Sequence, residues 1–266
     1  MAAEEGNIIL GIFTGEEAPE GEVEDEYGEE WPIILPNVTH LSICPSITVL
    51  WRLEFSHHPN INKIEEGAFY RCPRLKRLIM PGVKEVEESA FLKCDTIEHV
   101  ECDKLEIIRD EAFSECTSLK SIDLPSARIV EVGAFGNCYL LRNVKIGKYL
   151  DILRAAAFRN CPSLERITIP LKGGLIGHDN IFTGCDNLKR VDLVEEDAVL
   201  HETVATLLME EWRQDMSNVI NSINQILPNA PAGDHAFHRG KAQAIREWIP
   251  LVVRKIIHTK HITAAC

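Results

Sequence analysis

Apolar residues in the middle of the chain recur on one near-constant period, and a fixed period settles the architecture before any local pattern is read. Within the phrase Ala-Phe-x-x-Cys-x-x-Leu-x-x-Ile and its close variants, Phe falls at 69, 91, 113, 135, 158 and 182, in steps of 22, 22, 22, 23 and 24 residues. Three residues after each Phe comes Cys72, Cys94, Cys116, Cys138, Cys161 or Cys185. Six after comes Leu75, Ile97, Leu119, Leu141, Leu164 or Leu188, and nine after comes Leu78, Val100, Ile122, Val144, Ile167 or Val191. Five residues before the Phe stand Ile64, Val86, Ile108, Val130 and Leu153, with Gly177 as the departure in the last unit.

A unit this short forms one turn of a coil and cannot bury its apolar edge alone, so stacked copies must supply the core. The alternation in Leu78-Ile79-Met80 and Ile167-Thr168-Ile169 has the period of a strand, and Pro81, Pro125 and Pro170 stop each strand at its end. The expected fold is an α/β solenoid of 22–24-residue repeats built on a single parallel sheet, with an N-terminal strand cap and a C-terminal helical hairpin cap. Six or seven coils at about 4.8 Å give a stack on the order of 30 Å, with the Phe column filling the layer opposite the sheet.

Residues 64–81, Ile-Glu-Glu-Gly-Ala-Phe-Tyr-Arg-Cys-Pro-Arg-Leu-Lys-Arg-Leu-Ile-Met-Pro, resemble the unit of the BspA-like leucine-rich-repeat family almost word for word. The resemblance covers about residues 38–195, and the flanks are similar to those of algal, especially diatom, members. It implies a binding scaffold, of a kind that in some relatives serves surface adhesion.

The ends read differently from the middle. Residues 1–54 form the expected cap, in which Ile8–Phe13 and Val38–Ile43 are strands covering the first coil, separated by a solvated acidic loop at 15–30. The solenoid is expected at 55–195, with Phe55, His58, Ile61 and Ile64 matching the repeat columns as a truncated coil. Residues 196–266 form a helical cap. Apolar positions from 200 to 227 make one helical stripe, with Glu195, Glu196 and Asp197 placed to favour its N-terminus. Ala242, Ile245, Ile249, Val252 and Ile256 make a second, with Pro250 inside it.

The six evenly spaced cysteines lack any Cys-x-x-Cys pair, so they are expected to be buried thiols donating weakly to loop carbonyls rather than metal ligands or disulfides. Cys102 falls on a core position of its strand, whereas Cys44 and Cys266 have no assigned place. His57-His58, in a degenerate repeat, is expected to pack within the cap, His235/His238 and His258/His261 lack a third ligand, and Trp212 and Trp248 are expected as packing anchors. No metal site and no cofactor is expected.

Charge changes the picture in one respect. The chain carries 41 acids and 28 bases, a formal charge of −13, but eleven of the acids lie in residues 1–36, which contain no Lys or Arg. The remainder is close to neutral, which argues against a nucleic-acid binder. With no basic-then-apolar leader and no apolar run of membrane-spanning length, a cytoplasmic location is expected.

Side chains flanking a buried strand residue point to solvent, so positions eight and ten after each Phe define the exposed face of the sheet, to which the neighbouring column at plus seven is added. There the bases outnumber the acids by eight to five. Candidate protein-binding residues on it are Lys76, Arg77, His99, Glu101, Lys120, Asp123, Arg142, Lys145, Arg166 and Arg190. The sequence contains no Gly-x-Ser-x-Gly, no His-Glu-x-x-His and no phosphate-cradling loop, so no catalytic residue is assigned. The expected function is a non-enzymatic scaffold for a protein partner. The alternatives are a structural subunit held through its C-terminal helices, or a surface adhesin by family resemblance. The acidic loop is a possible intramolecular competitor for the basic face.

Overall fold

The computed structural model describes residues 61–72, 75–195, 210–231 and 240–264, together with the short strands Ile8–Leu10, Val23–Glu24, Glu30–Trp31, His40–Ile43, Arg52–Glu54 and Ala198–Val199. Its side chains are described at 61–72, 75–194, 214–231 and 240–257. Two parallel ladders run along the coils where one was expected. The first joins β1 (Ile8–Leu10), β4 (His40–Ile43), β6 (Lys63–Ile64), β8 (Glu85–Val86), β10 (Ile107–Ile108), β12 (Ile129–Val130) and β14 (Ile152–Leu153). The second is the expected sheet: β5 (Arg52–Glu54), β7 (Arg77–Ile79) and β9 (His99–Glu101), then β11 (Ser121–Leu124), β13 (Asn143–Ile146), β15 (Arg166–Pro170) and β16 (Arg190–Glu195). Ladder pairing lapses between β9 and β11. The extra ladder follows from the repeat itself, because a constant step brings every extended stretch opposite its own copy one coil away.

The turn that carries Phe is a third line of contact. Gly67, Phe69 and Arg71 donate their amides to the carbonyls of Glu88, Ala90 and Leu92 in the next coil, at 3.0, 2.8 and 2.9 Å. Ala68, Tyr70 and Cys72, in between, donate back within the turn to Glu65, Gly67 and Phe69. Sending alternate amides along the axis and back into the turn requires left-handed backbone on both sides of the Phe. Two residues before it, φ is +61° at Gly67, +56° at Ser89, +54° at Glu111, +64° at Gly133 and +56° at Ala156. Two residues after it, Arg71, Lys93, Glu115, Asn137, Asn160 and Gly184 are also left-handed.

Inside, the six Phe rings are fully buried and stack nearly parallel, with centroids 5.0, 5.1, 5.4, 5.6 and 6.1 Å apart in chain order. The spacing opens as the sequence step lengthens from 22 to 24 residues. The columns six and nine after the Phe are buried as expected, except that Val100 is only half-buried beside the lapse in the sheet. In the last unit it is Ile176, not Gly177, that continues the column of Leu153, through a parallel bridge. The longer step shifts that strand position by one residue.

Leu53 is aligned with Leu78 and Leu41 with Ile64, so a coil precedes the first Phe. The strand Arg52–Glu54 holds the sheet position of that coil. Phe55, His57 and His58 themselves lie outside the described residues. β1 and β4 extend the first ladder at its N-terminal end, as a strand cap should. The acidic stretch between them is not wholly a loop, since β2 (Val23–Glu24) and β3 (Glu30–Trp31) pair as an antiparallel hairpin.

At the other end, β17 (Ala198–Val199) folds back antiparallel on β16. Glu195 therefore lies in a hairpin strand, which corrects its assignment to a helix N-terminus. The two helices follow as α1 (Glu210–Ile226) and α2 (Lys241–Ala264). The N-terminal part of the first helical stripe, the side chain of Trp212 and the four C-terminal histidines fall outside the described residues or side chains. Both helices meet the last coil. Asn224 of α1 accepts from the Val191 amide at 3.1 Å, and Arg246 of α2 reaches the Ile176 carbonyl and Asp179, each at 2.6 Å. The buried indole of Trp248 anchors one helix to the other by donating to the Val219 carbonyl at 2.9 Å.

Candidate protein-binding face

All ten candidate residues, Lys76, Arg77, His99, Glu101, Lys120, Asp123, Arg142, Lys145, Arg166 and Arg190, are exposed on the sheet face. The strand register brings them into columns: Arg77 beside His99, Ser121 beside Asn143, then Arg166, then Arg190. The column eight after the Phe holds only side chains that can donate hydrogen bonds and no carboxylate along its whole length. The same register places Arg52 next to Arg77, extending it by one coil. Sequence reasoning missed Arg52 because Phe55 drew attention away from it. The signal was there, since Arg52-Leu53-Glu54 alternates just as Arg77-Leu78-Ile79 does.

The column ten after the Phe does not match its expectation throughout. Glu101, Asp123 and Lys145 point to solvent, but Ile79, Thr168 and Asp192 are 7, 6 and 6 % exposed. Asp192 lies beneath two guanidinium groups, those of Arg166 and Arg190. Its role was invisible in the sequence, where it was one acid among several.

Most of the charge on the face is internally matched. Ion pairs cross from coil to coil between Arg77 and Glu101 at 2.5 Å, Lys120 and Glu98 at 2.7 Å, Lys145 and Asp123 at 3.3 Å, and Lys189 and Glu165 at 3.2 Å. The hydrogen bond from Lys120 holds the Glu98 carboxyl below its ordinary range. Such exposed pairs contribute little stability individually, about 0–1 kcal/mol, but they set where charge is left over. The basic excess is concentrated at the C-terminal half of the face. Arg142 has no ion-pair partner among the described residues, and Arg166 and Arg190 share one acid.

The cysteine line behind the face is structural. Cys94, Cys116, Cys138, Cys161 and Cys185 donate their thiols to the carbonyl of the preceding coil's Phe, at 2.9, 3.4, 3.3, 3.2 and 3.0 Å. Burial pushes the Cys116 thiol well above its ordinary value and that of Cys102 up to about 12, which removes the nucleophilic thiolate. All seven described cysteines are free and buried. Among the described residues no three His, Cys, Asp or Glu side chains are grouped to hold a metal, and no helix is long and apolar enough to cross a membrane.

Stacked coils with parallel strands, an inward Phe and Cys line and an outward polar face define a leucine-rich-repeat solenoid closed by a helical cap. The sequence matches the BspA type leucine rich repeat region in six copies over residues 48–130 and 106–204, more than half of the chain, and the chain belongs to that family. Solved structures to which the chain is similar include a leucine-rich-repeat protein of T. pallidum, 24 % identical with a TM-score of 0.43, covering 57 % of this chain and 68 % of that one. A leucine-rich-repeat protein from Bacteroides ovatus is 22 % identical with a TM-score of 0.46, and the match covers 61 % of this chain and 47 % of that one. The pneumococcal vaccine antigen PcpA is 17 % identical with a TM-score of 0.49, at 59 % of this chain and 40 % of that one. The chain thus aligns with less than half the length of the latter two. No curated protein matches it.

Proposed function

We propose that this protein is a non-enzymatic scaffold that binds a protein partner through the exposed face of its sheet. The observation that carries this reading is the column from Arg77 through His99, Ser121, Asn143 and Arg166 to Arg190. It is exposed in every coil, every side chain in it can donate a hydrogen bond, and none is a carboxylate. A flat, periodic row of donors on a rigid support suits an extended or acidic segment of another protein, and leucine-rich repeats as a family point to protein partners. In this reading residues 1–54 and 196–266 serve as caps for the solenoid at 55–195, and no step of catalysis is assigned.

Affinity capture from a lysate with wild type and with the Arg77→Glu, Arg166→Glu, Arg190→Glu variant tests the face, with circular dichroism confirming that both fold. Loss of the captured partner is the expected result, and an unchanged partner set would overturn the reading. A second reading, a structural subunit, is favoured by the outer side of the helical hairpin. Ile226, Leu251 and Ile257 are there 51, 53 and 49 % exposed, beside a shallow groove lined by Val219, Ser222 and Leu251. Size-exclusion chromatography with mass measurement separates the two, since a subunit of this kind self-associates when purified alone.

A further inference from the structure

Resting on the binding reading above, the structure also indicates what chemistry the face recognises. Arg166 and Arg190 are aligned on neighbouring strands, about 4.8 Å apart along the sheet. Both turn the same edge of the guanidinium inward, towards one carboxylate. Arg166 Nε donates to Asp192 Oδ2, and Arg190 Nε donates to Asp192 Oδ1 at 3.2 Å. The Asp192 side chain is 6 % exposed, whereas those of Arg166 and Arg190 are 45 and 51 % exposed. With Nε occupied and both side chains about half exposed, the terminal η nitrogens are left as donors for a ligand. Asn143 is aligned with Arg166 one strand earlier, its exposed amide bonded to no other side chain among the described residues, and the unpaired Arg142 stands next to it.

The arrangement exceeds what a cross-coil staple requires. Arg77 with Glu101 and Lys145 with Asp123 are pairs of one acid with one base from the neighbouring coil. Here one buried acid orients two arginines while a third has no acid at all. The nearby acids Glu165 and Asp123 are taken by Lys189 and Lys145, so Arg142, Arg166, Arg190 and Asp192 leave a local charge of two positive units.

We propose that Arg142, Asn143, Arg166 and Arg190 form a receptor for a phosphomonoester borne by a side chain of the partner protein, with Asp192 as the positioning residue. A phosphomonoester carries about −1.5 to −2 charges at pH 7 and presents three acceptor oxygens, which match two guanidinium forks and a net charge of two. A single carboxylate would leave both donors and charge unmatched. The near-neutral remainder of the face disfavours a long polyanion such as nucleic acid.

Phenyl phosphate titrated into the full-length chain, followed by the arginine side-chain NMR signals, tests this. The expected result is a saturable shift of the Arg166 and Arg190 signals that phenylacetate does not reproduce. Affinity should fall about tenfold between pH 7 and pH 5, as the dianion is lost with its pKa near 6. Arg166→Lys and Arg190→Lys, which keep the charge but lose the fork, should each weaken binding about tenfold, while Arg128→Lys, in a pair with Asp151 away from the candidate residues, should leave it unchanged. Equal response to phenylacetate, lysine variants that bind like wild type, or a stronger response to a short single-stranded DNA would each overturn the proposal. If phenyl phosphate fails to bind while the triple glutamate variant still loses its partner, this inference falls and the scaffold reading stands. If phenyl phosphate binds but the partner set is unchanged, the anion is not borne by that partner and the proposal is overturned in that form.

Discussion

The ammonium group of Lys241 lies 2.7 Å from the carbonyl oxygen of Leu188, 53 residues earlier, and is itself buried. It donates equally to the Leu227 carbonyl at 2.7 Å, so one side chain at the start of α2 ties together the last coil, the end of α1 and the second helix. Both helices therefore close the solenoid, and one buried cation satisfies a carbonyl of the last coil and another at the end of the first helix.

Replacing Lys241 by Met keeps the bulk and removes the donors. A stability loss on the order of 1–3 kcal/mol is expected in urea melts, because the two buried carbonyls lose their partner. Burial lowers the pKa of Lys241 below 10.5, with Cys185 and Asp186 opposing the shift. The folded chain thus releases this proton before the unfolded chain does, and the contribution of Lys241 to stability rises with pH towards 10.5. The melting-temperature difference between wild type and Lys241→Met should widen from pH 8 to pH 10. A constant or narrowing difference would count against this role.

The left-handed positions flanking each Phe make an unusual mutational pattern. Glu111 and Ala156 hold φ of +54° and +56° without the freedom of glycine. Relieving that strain by Glu111→Gly or Ala156→Gly should stabilise the fold by about 0.5–1 kcal/mol, against the usual effect of introducing glycine. Thermal denaturation measures it directly, and destabilisation by both variants would mean that the side chains contribute more than the strain costs.

Two glycines should tolerate nothing larger. A Cβ at Gly147 would lie 2.0 Å from the Pro125 carbonyl oxygen one coil away, and one at Gly184, with φ of +77°, would lie 2.6 Å from Asn160 Oδ1. Gly147→Ala meets backbone that cannot step aside and should cost about 2 kcal/mol or more. Gly184→Ala meets the Asn160 side chain first and its backbone Cα only at 3.0 Å, and adds left-handed strain of about 1 kcal/mol. Urea denaturation should rank Gly147→Ala as the more damaging.

The thiol line should be silent towards alkylating or disulfide reagents in the native protein. Of nine cysteines, the seven described are buried, so rapid labelling at pH 8 should modify at most Cys44 and Cys266, and all nine only after denaturation. The raised thiol pKa has a second consequence. Unfolded thiols ionise near 9, whereas Cys102 keeps its proton to about 12, so stability should fall as pH rises above 9. Cys102→Ala should lessen that decline, the opposite direction to the effect of Lys241.

The periodic part of this protein was legible in its sequence for a specific physical reason. In a solenoid the neighbour of each core residue is its own copy one coil later, so Phe113 stacks on Phe135, and Cys138 donates to Phe113, at separations the repeat length already states. Column, burial and strand register followed from that. What escaped were contacts at separations unrelated to the period. The alignment of Arg52 with Arg77 depends on a first coil lengthened to 25 residues, the bridge from Leu153 to Ile176 on a lengthened last one, and the bond from Lys241 to Leu188 on how a helix docks. The candidate site divides in the same way. Exposure of the column eight after each Phe is a matter of alternation along each strand, which the sequence alone determines, whereas the burial of Ile79, Thr168 and Asp192 in the column ten after it is not. That Asp192 is buried beneath Arg166 and Arg190 while Arg142 is left without an acid depends on which side chains meet across coils, and only the tertiary structure decides it.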